Sequence, residues 1–194
     1  MKNLNPKYWQ NRYETNDIIW DAGKITTPLK KYIDQLEDKS IKILIPGCGN
    51  GYEFEYLTNK GFNNSFVVDY AQNPIDNLKK RIPHCNPNHV IHSDFFEHKG
   101  SYDLIIEQTF FCALNPELRA KYVQKMLSLL SPNGKLVGLF FQFPLTEVGP
   151  PFGGSKEEYL KLFSIDFEIK TIQTAYNSIK PREGNELFFI FTKK

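Results

Sequence analysis

Residues 41–45 (Ile-Lys-Ile-Leu-Ile) form a short β-branched run that stops at Pro46 and opens into Gly47-Cys48-Gly49-Asn50-Gly51. Three glycines at alternate positions let the backbone turn tightly and approach a ligand with no Cβ in the way. An amphipathic segment follows. Strand, glycine turn and helix in that order constrain the chain to a parallel sheet, since parallel neighbours need a long and usually helical crossover. In such sheets nucleotide-like ligands bind at the carboxyl ends of the strands, where an acid about 20 residues further on can hold ribose hydroxyls. Asp69, at the end of the next apolar run, stands at that position.

The glycine spacing selects among ligands. The dinucleotide pattern Gly-x-Gly-x-x-Gly sets its third glycine where a helix end meets a pyrophosphate. Here position 52 is Tyr, and the third glycine comes one residue early. Gly-x-Gly-x-Gly is the form of class I methyltransferases, whose ligand S-adenosylmethionine carries no phosphate. A nicotinamide-dependent reductase is the alternative from another enzyme class, and Tyr52 argues against it. A non-catalytic module that binds the adenosyl ligand is a third reading, which only turnover separates from an enzyme.

Apolar runs and amphipathic segments then alternate along the chain. Helices are predicted over 5–14, carrying Tyr8, Trp9 and Tyr13, and over 28–36, with Thr27 as N-cap and Pro28 in the first turn. Residues 17–27 form the loop between them. Strands are expected at 41–45, 65–69, 89–93, 102–107 and 135–142, and helices at 51–59, 74–81 and 116–130. A Ser131-Pro132-Asn133-Gly134 turn leads into the strand at 135. The tail reads as a helix at 155–163, a strand at 165–173 and a last strand at 186–192 with no helix before it; strands joined without a crossover helix pair antiparallel. The expected fold is α/β and Rossmann-like, that of class I methyltransferases. It has a seven-stranded, mostly parallel sheet with one antiparallel strand near its edge and helices on both faces.

A chain of 194 residues suits one well-buried domain, 1–194, and is short for two. The formal charge of +2 is spread over Lys30-Lys31, Lys79-Lys80-Arg81 and Lys193-Lys194. These read as solvated faces, so no nucleic-acid partner is expected. Cys48, Cys85 and Cys112 include no Cys-x-x-Cys pair, which suggests neither a disulfide framework nor a zinc site and fits a cytoplasmic protein. With a polar start and no run near the ~18 apolar residues of a membrane span, neither secretion nor a membrane is expected. Nothing demands more than a monomer. His89 and His92 look like a ligand pair, but residues three apart on a strand face opposite ways, and no metal site is assigned.

The segment Phe110-Phe111-Cys112-Ala113-Leu114-Asn115-Pro116-Glu117-Leu118-Arg119 and the later Gly149-Pro150-Pro151-Phe152 closely resemble the thiopurine methyltransferase superfamily, nearest to its plant thiol and halide branch. Trp9, Arg12, Tyr13, Trp20-Asp21, Gly23, Thr27-Pro28 and Pro181-Arg182-x-Gly184 match as well, so the similarity spans nearly the whole chain. It implies that residues 1–38 are a helical cover whose Trp9, Tyr13 and Trp20 close over S-adenosylmethionine. Gly47, Cys48 and Gly49 would underlie the methionine part, Asp69 and its neighbour Tyr70 the ribose, and Asp94 with Phe95 the adenine. Gln108 occupies a cofactor-contacting position that is Tyr in the plant enzymes and Arg in the mammalian ones. Tyr13 stands where the family has Trp, which keeps an aromatic face.

Methyl transfer from a sulfonium is an in-line displacement in which an anion and a cation neutralise each other, so positioning and exclusion of water supply much of the rate. Aromatic walls suit that demand. Trp20, Phe110, Phe111, Phe143 and Phe152 are therefore assigned to the substrate pocket, beside Trp9 and Tyr13 over the donor. A thiol, with a pKa of about 8.5, profits from a base without requiring one, and a halide needs none. Glu107, which matches an Asp of the superfamily, is the candidate for a polar substrate or base role. Hydrogen bonding to neighbouring backbone is its other reading. Cys112 and Cys48 read as small buried residues, and Arg182 as a surface ion-pair partner or a contact for an anionic acceptor. The expected partner is a small nucleophile (thiol, bisulfide, halide or thiopurine-like), with S-adenosylhomocysteine as the second product.

Overall fold

The computed structural model describes residues 4–194. Seven strands form one sheet: β1 (Ile43–Pro46), β2 (Ser65–Asp69), β3 (Val90–His92), β4 (Tyr102–Gln108), β5 (Leu130–Phe141), β6 (Phe167–Thr174) and β7 (Glu186–Lys193). Their order is β3-β2-β1-β4-β5-β7-β6. The pairs among the first five are parallel, and β7 runs antiparallel to both of its neighbours, as expected for a strand entered without a crossover helix. The chain order reverses between β1 and β4, and that switch point is where an open parallel sheet offers a crevice at its carboxyl edge.

Side chains that alternate along the central strands divide the core in two. Leu44, Val68, Ile105, Leu136 and Phe140 meet α5 (Arg119–Leu129) and α6 (Lys156–Phe163) on one face. Ile43, Ile45, Val67, Leu104, Ile106, Val137 and Leu139 meet α2 (Thr27–Asp34), α3 (Tyr52–Asn59) and α4 (Gln72–Arg81) on the other. Burying a Leu, Ile or Phe contributes about 1.5–3 kcal/mol each, so both layers are needed to hold the central strands. Among the described residues no helix is long and apolar enough to cross a membrane.

Several element boundaries differ from the sequence expectation for identifiable reasons. The α2 N-cap is Thr26, one residue early, and its hydroxyl donates to Gln108 Oε1 (3.3 Å) rather than capping the helix. α4 starts at Gln72, two residues early, because Gln10 Oε1 of α1 (Pro6–Glu14) accepts from the amides of Gln72 (3.0 Å) and Asn73 (3.1 Å). Residues 116–118 form a 3-10 turn ahead of α5, held by Asn115 Oδ1 accepting from the Glu117 amide (3.1 Å). The expected turn at 131–134 is an irregular opening of β5: Asn133 has φ +61°, and the pairing jumps from Leu130 to Lys135.

Candidate active site

Gly47, Gly49 and Gly51 all have positive φ, which β-carbon-bearing residues rarely adopt, and each faces a different neighbour. A Cβ at Gly47 would lie 2.1 Å from the Phe110 ring, one at Gly49 2.9 Å from the Tyr13 hydroxyl, and one at Gly51 2.0 Å from Leu78 of α4. The turn thus packs at once against the loop after β4, the N-terminal segment and a crossover helix. Asp69, at the tip of β2, braces it: Oδ2 accepts from the Gly49 amide (3.0 Å) and Oδ1 from the Ala71 amide (2.9 Å). Burial raises the pKa of Asp69, and these amides act against the rise by favouring the carboxylate.

Trp20 stands between Trp9 (5.4 Å, interplanar 80°) and Tyr13 (5.8 Å, 81°), with the Arg12 guanidinium 4.8 Å from its ring. The next residue, Asp21, ties this cluster to the glycine turn by accepting from Asn50 Nδ2 and from the Tyr52 hydroxyl (3.3 Å). From the far end of the chain, Arg182 Nη2 donates to the Trp20 carbonyl (2.6 Å). Under this cover lies a cavity of about 840 Å³. Its lining brings together Trp9, Tyr13, Trp20, Gly47, Cys48, Gly49, Asp69, Tyr70, Asp94, Phe95, Gln108, Phe110 and Phe143 of the expected set. Asp94 Oδ1 accepts from the Phe96 amide (2.8 Å), which orients its loop at the cavity edge.

Three expected residues lie elsewhere. Glu107 is fully buried and outside the cavity lining. Its Oε1 accepts from the amides of Phe110 (2.8 Å) and Phe111 (2.9 Å), and its Oε2 from the Tyr122 hydroxyl (2.6 Å). Strand alternation explains this: Glu107 shares a face with Ile105 and lies beneath α5, whereas Gln108 turns toward the cover. Its carboxylate shapes the loop after β4, the backbone reading of the two weighed for it. Phe111 belongs to the core, 4.9 Å from Tyr122 and 4.8 Å from Phe140. Phe152 is buried behind Pro150 and Pro151, which line the cavity in its place; its ring lies where a Cβ at Gly149 would be. The peptide bonds Gly149–Pro150 and Pro150–Pro151 are both cis.

Further residues enter the site, and of these Glu53 was not singled out by the sequence. Arg182, read as a surface ion-pair partner or a contact for an anionic acceptor, is buried on the cavity wall and lies 3.4 Å from Glu186. Glu53 also lines the cavity and is buried, which pushes its pKa up to about 7. Its spacing of four from buried Leu57 was the available signal, since positions i and i+4 share a helix face. Cys112 lines the wall as a buried thiol, its Sγ 3.3 Å from the Thr109 carbonyl and its pKa raised by burial. His89 packs at a tilt against Phe66 (4.0 Å, 31°) while His92 Nε2 contacts the Tyr70 carbonyl (3.0 Å), so the two rings serve different neighbours.

The fit to an adenosyl ligand can be judged from these contacts. Backbone stripped of Cβ atoms, a half-buried carboxylate at the adjoining strand tip and aromatic walls within one cavity of ligand size are what such a molecule requires. The residues present meet all three conditions.

Comparison with known proteins agrees with this geometry. The model of the thiopurine S-methyltransferase family matches residues 4–191. A probable thiol methyltransferase 2 of Arabidopsis thaliana is 30% identical over 184 residues, covering 92% of this chain and 81% of its own. A thiopurine S-methyltransferase of Vibrio cholerae serotype O1 is 26% identical over 181 residues, 81% of this chain and 80% of its own. Among solved structures, 1,6-didemethyltoxoflavin-N1-methyltransferase of Burkholderia thailandensis, with S-adenosylhomocysteine bound, superposes with a TM-score of 0.78 at 15% identity over 98% of this chain and 88% of that one. A TehB-like SAM-dependent methyltransferase of Corynebacterium glutamicum gives 0.69 at 22% identity, covering 98% and 100%. At such identities the structural likeness is one of fold. The sequence match, however, runs almost from end to end: the chain belongs to the thiopurine S-methyltransferase family, S-adenosylmethionine-dependent methyltransferases built on the class I fold.

Proposed function

We propose that this methyltransferase acts on a small, soft nucleophile: a thiol, bisulfide, halide or thiopurine-like sulfur. The observation that carries the reading is one continuous cavity, reaching from the glycine turn and Asp69 to an end walled by Phe110, Cys112, Phe141, Phe143, Pro150, Pro151 and Arg182. Relatives named as thiol, thiocyanate and thiopurine methyltransferases support this acceptor class.

In this reading Asp69 holds the ribose, Asp94 and Phe95 border the adenine, and Gly47, Cys48 and Gly49 carry the methionine part beneath Trp9, Tyr13 and Trp20. S-adenosylmethionine, when bound, supplies a methyl group on a sulfonium. The side chains around it exclude water, and that exclusion strips solvent from an anionic acceptor. The aromatic faces attract the sulfonium by roughly 0.5–2 kcal/mol each depending on exposure, which makes enclosure their larger contribution. Arg182, paired with Glu186 at 3.4 Å, places a cation on the cavity wall 5.9 Å from the Phe141 ring.

A headspace and chromatographic assay tests the reading. Purified protein and S-adenosylmethionine are given sulfide, iodide or an aromatic thiol in turn, and methylated product is measured. Turnover of at least one is expected. Tight binding of S-adenosylhomocysteine with no product from any acceptor would reject it.

A further inference from the structure

Three buried carboxyl groups lie near the carboxyl edge of the sheet, and they differ in what remains free: Glu186 is paired with Arg182 (3.4 Å) and lies outside the cavity lining. Glu107 has its acceptor capacity taken by two amides and a hydroxyl, and it lies outside the cavity. Glu53 lies on the cavity wall and is 5% exposed. The backbone N–H groups of Glu53 and Thr26 favour its carboxylate against burial. Among the described residues no lysine or arginine pairs with it at salt-bridge distance.

The charged and titratable groups facing Glu53 come from three elements. Arg182, from the turn before β7, favours its carboxylate; Asp21 of the cover opposes it; Cys48 of the glycine turn feels its charge. Arg182 lines the same cavity as Glu53. The guanidinium lies 5.9 Å from the Phe141 ring and acts on the Cys112 thiol, both on the acceptor wall. Glu53 and Arg182 thus share one cavity with the glycine turn.

We infer that Glu53 is the proton acceptor for a thiol substrate, an assignment that rests on the function proposed above. The S–H proton passes to a Glu53 carboxylate oxygen, and the sulfur lone pair forms the new S–CH3 bond. The bond between that methyl and the donor sulfonium breaks, leaving its electron pair on the donor sulfur as a thioether. The proton then leaves Glu53 for water. Arg182 faces the thiolate during transfer. Burial that brings the carboxyl to about 7 suits this role, because a base near the working pH combines availability with driving force. A halide has no proton to give and gains nothing from Glu53.

The experiment uses the full chain, Glu53→Gln and Glu53→Asp, an alkanethiol, and an aromatic thiol already ionised at the assay pH. kcat/KM is followed from about pH 5.5 to about pH 9, and S-adenosylhomocysteine binding is measured by calorimetry. For Glu53→Gln the alkanethiol kcat/KM should fall about 100-fold, the aromatic thiol less than about tenfold, and the acid limb near pH 7 should vanish. Glu53→Asp should recover part of the alkanethiol rate. Equal losses on both thiols, an unchanged acid limb, or a matching loss of S-adenosylhomocysteine affinity would overturn the assignment and return Glu53 to a structural or donor-binding role. If the unmodified protein methylates sulfide or iodide but neither thiol, the Glu53 assignment fails and the proposed function stands; if it methylates no acceptor at all, the proposed function itself fails. That result is distinct from one in which both are methylated and the ratio stays put.

Discussion

Asp69 illustrates how one side chain serves loop and ligand together. Its two oxygens each accept a backbone amide while still bordering the cavity. Asp69→Ala should weaken S-adenosylhomocysteine binding by about 1.5–3 kcal/mol, the scale of a hydrogen bond to a charged group, and calorimetry measures it. Unchanged affinity would remove the ribose role. Glu107 makes a different prediction, because burial pushes its pKa up from 4.5 to about 7 in the fold. The folded state therefore binds the proton more tightly than the unfolded chain does. The stability this gives is fully present below pH ~4.5 and is lost as pH rises to ~7. Glu107→Gln, with an amide oxygen for the two backbone donors, should lessen that decline, as urea denaturation at about pH 5 and about pH 7.5 would reveal. Glu53 titrates in the same direction, so some slope persists in the variant. A Glu107→Gln slope equal to that of the unmodified protein would mean that the carboxyl ionises freely in the fold. Glu107 and Gln108 are neighbours in sequence, yet only one reaches the cavity. A motif match named both positions, and strand alternation decided between them.

At the level of elements, boundaries were legible wherever the signal was local. The apolar run of β2 and the Ser155-led start of α6 are examples: Ser155 Oγ accepts from the Glu158 amide (3.2 Å). They were missed where the partner is distant in sequence. α4 has no side-chain cap of its own, and Gln10 supplies one from α1. Gln10→Ala should cost about 0.5–2 kcal/mol, the range of a lost cap. It should also speed hydrogen exchange at the Gln72 and Asn73 amides relative to those of α3. Exchange that stays unchanged at those two amides would show that the cap contributes nothing to docking α1. His98 gives a second check at this scale. Buried beside the Tyr102 hydroxyl (2.8 Å) and near Lys125 and Lys42, it has a lowered pKa, with burial the main cause. Its contribution to stability is present above pH ~6.5 and declines as pH falls below that value. His98→Gln should make the fold less sensitive to acid in that window, and thermal melts across it would measure the difference.

For the whole molecule, the reversal of strand order between β1 and β4 opens the crevice, and the N-terminal segment roofs it. The chain has two tryptophans, Trp9 and Trp20, and both lie on that roof. Titration with S-adenosylhomocysteine should therefore change the intrinsic tryptophan emission, and the response should fall sharply in Trp20→Phe. An emission spectrum indifferent to ligand, with binding evident by calorimetry, would mean that the roof does not close on the donor. What the sequence by itself determined were the properties written in short-range patterns: alternating strands and helices, glycines free to take positive φ, an acid at the second strand tip, and an aromatic N-terminal segment. Only the tertiary structure decided which face each of these side chains serves. Glu107, Phe111 and Phe152 turn inward to hold the loops, while Glu53 and Arg182 come onto the cavity wall. The physical reason is that burial and pairing are properties of neighbours far apart in the chain. Arg182 meets the Trp20 carbonyl across 162 positions, a contact no local pattern encodes.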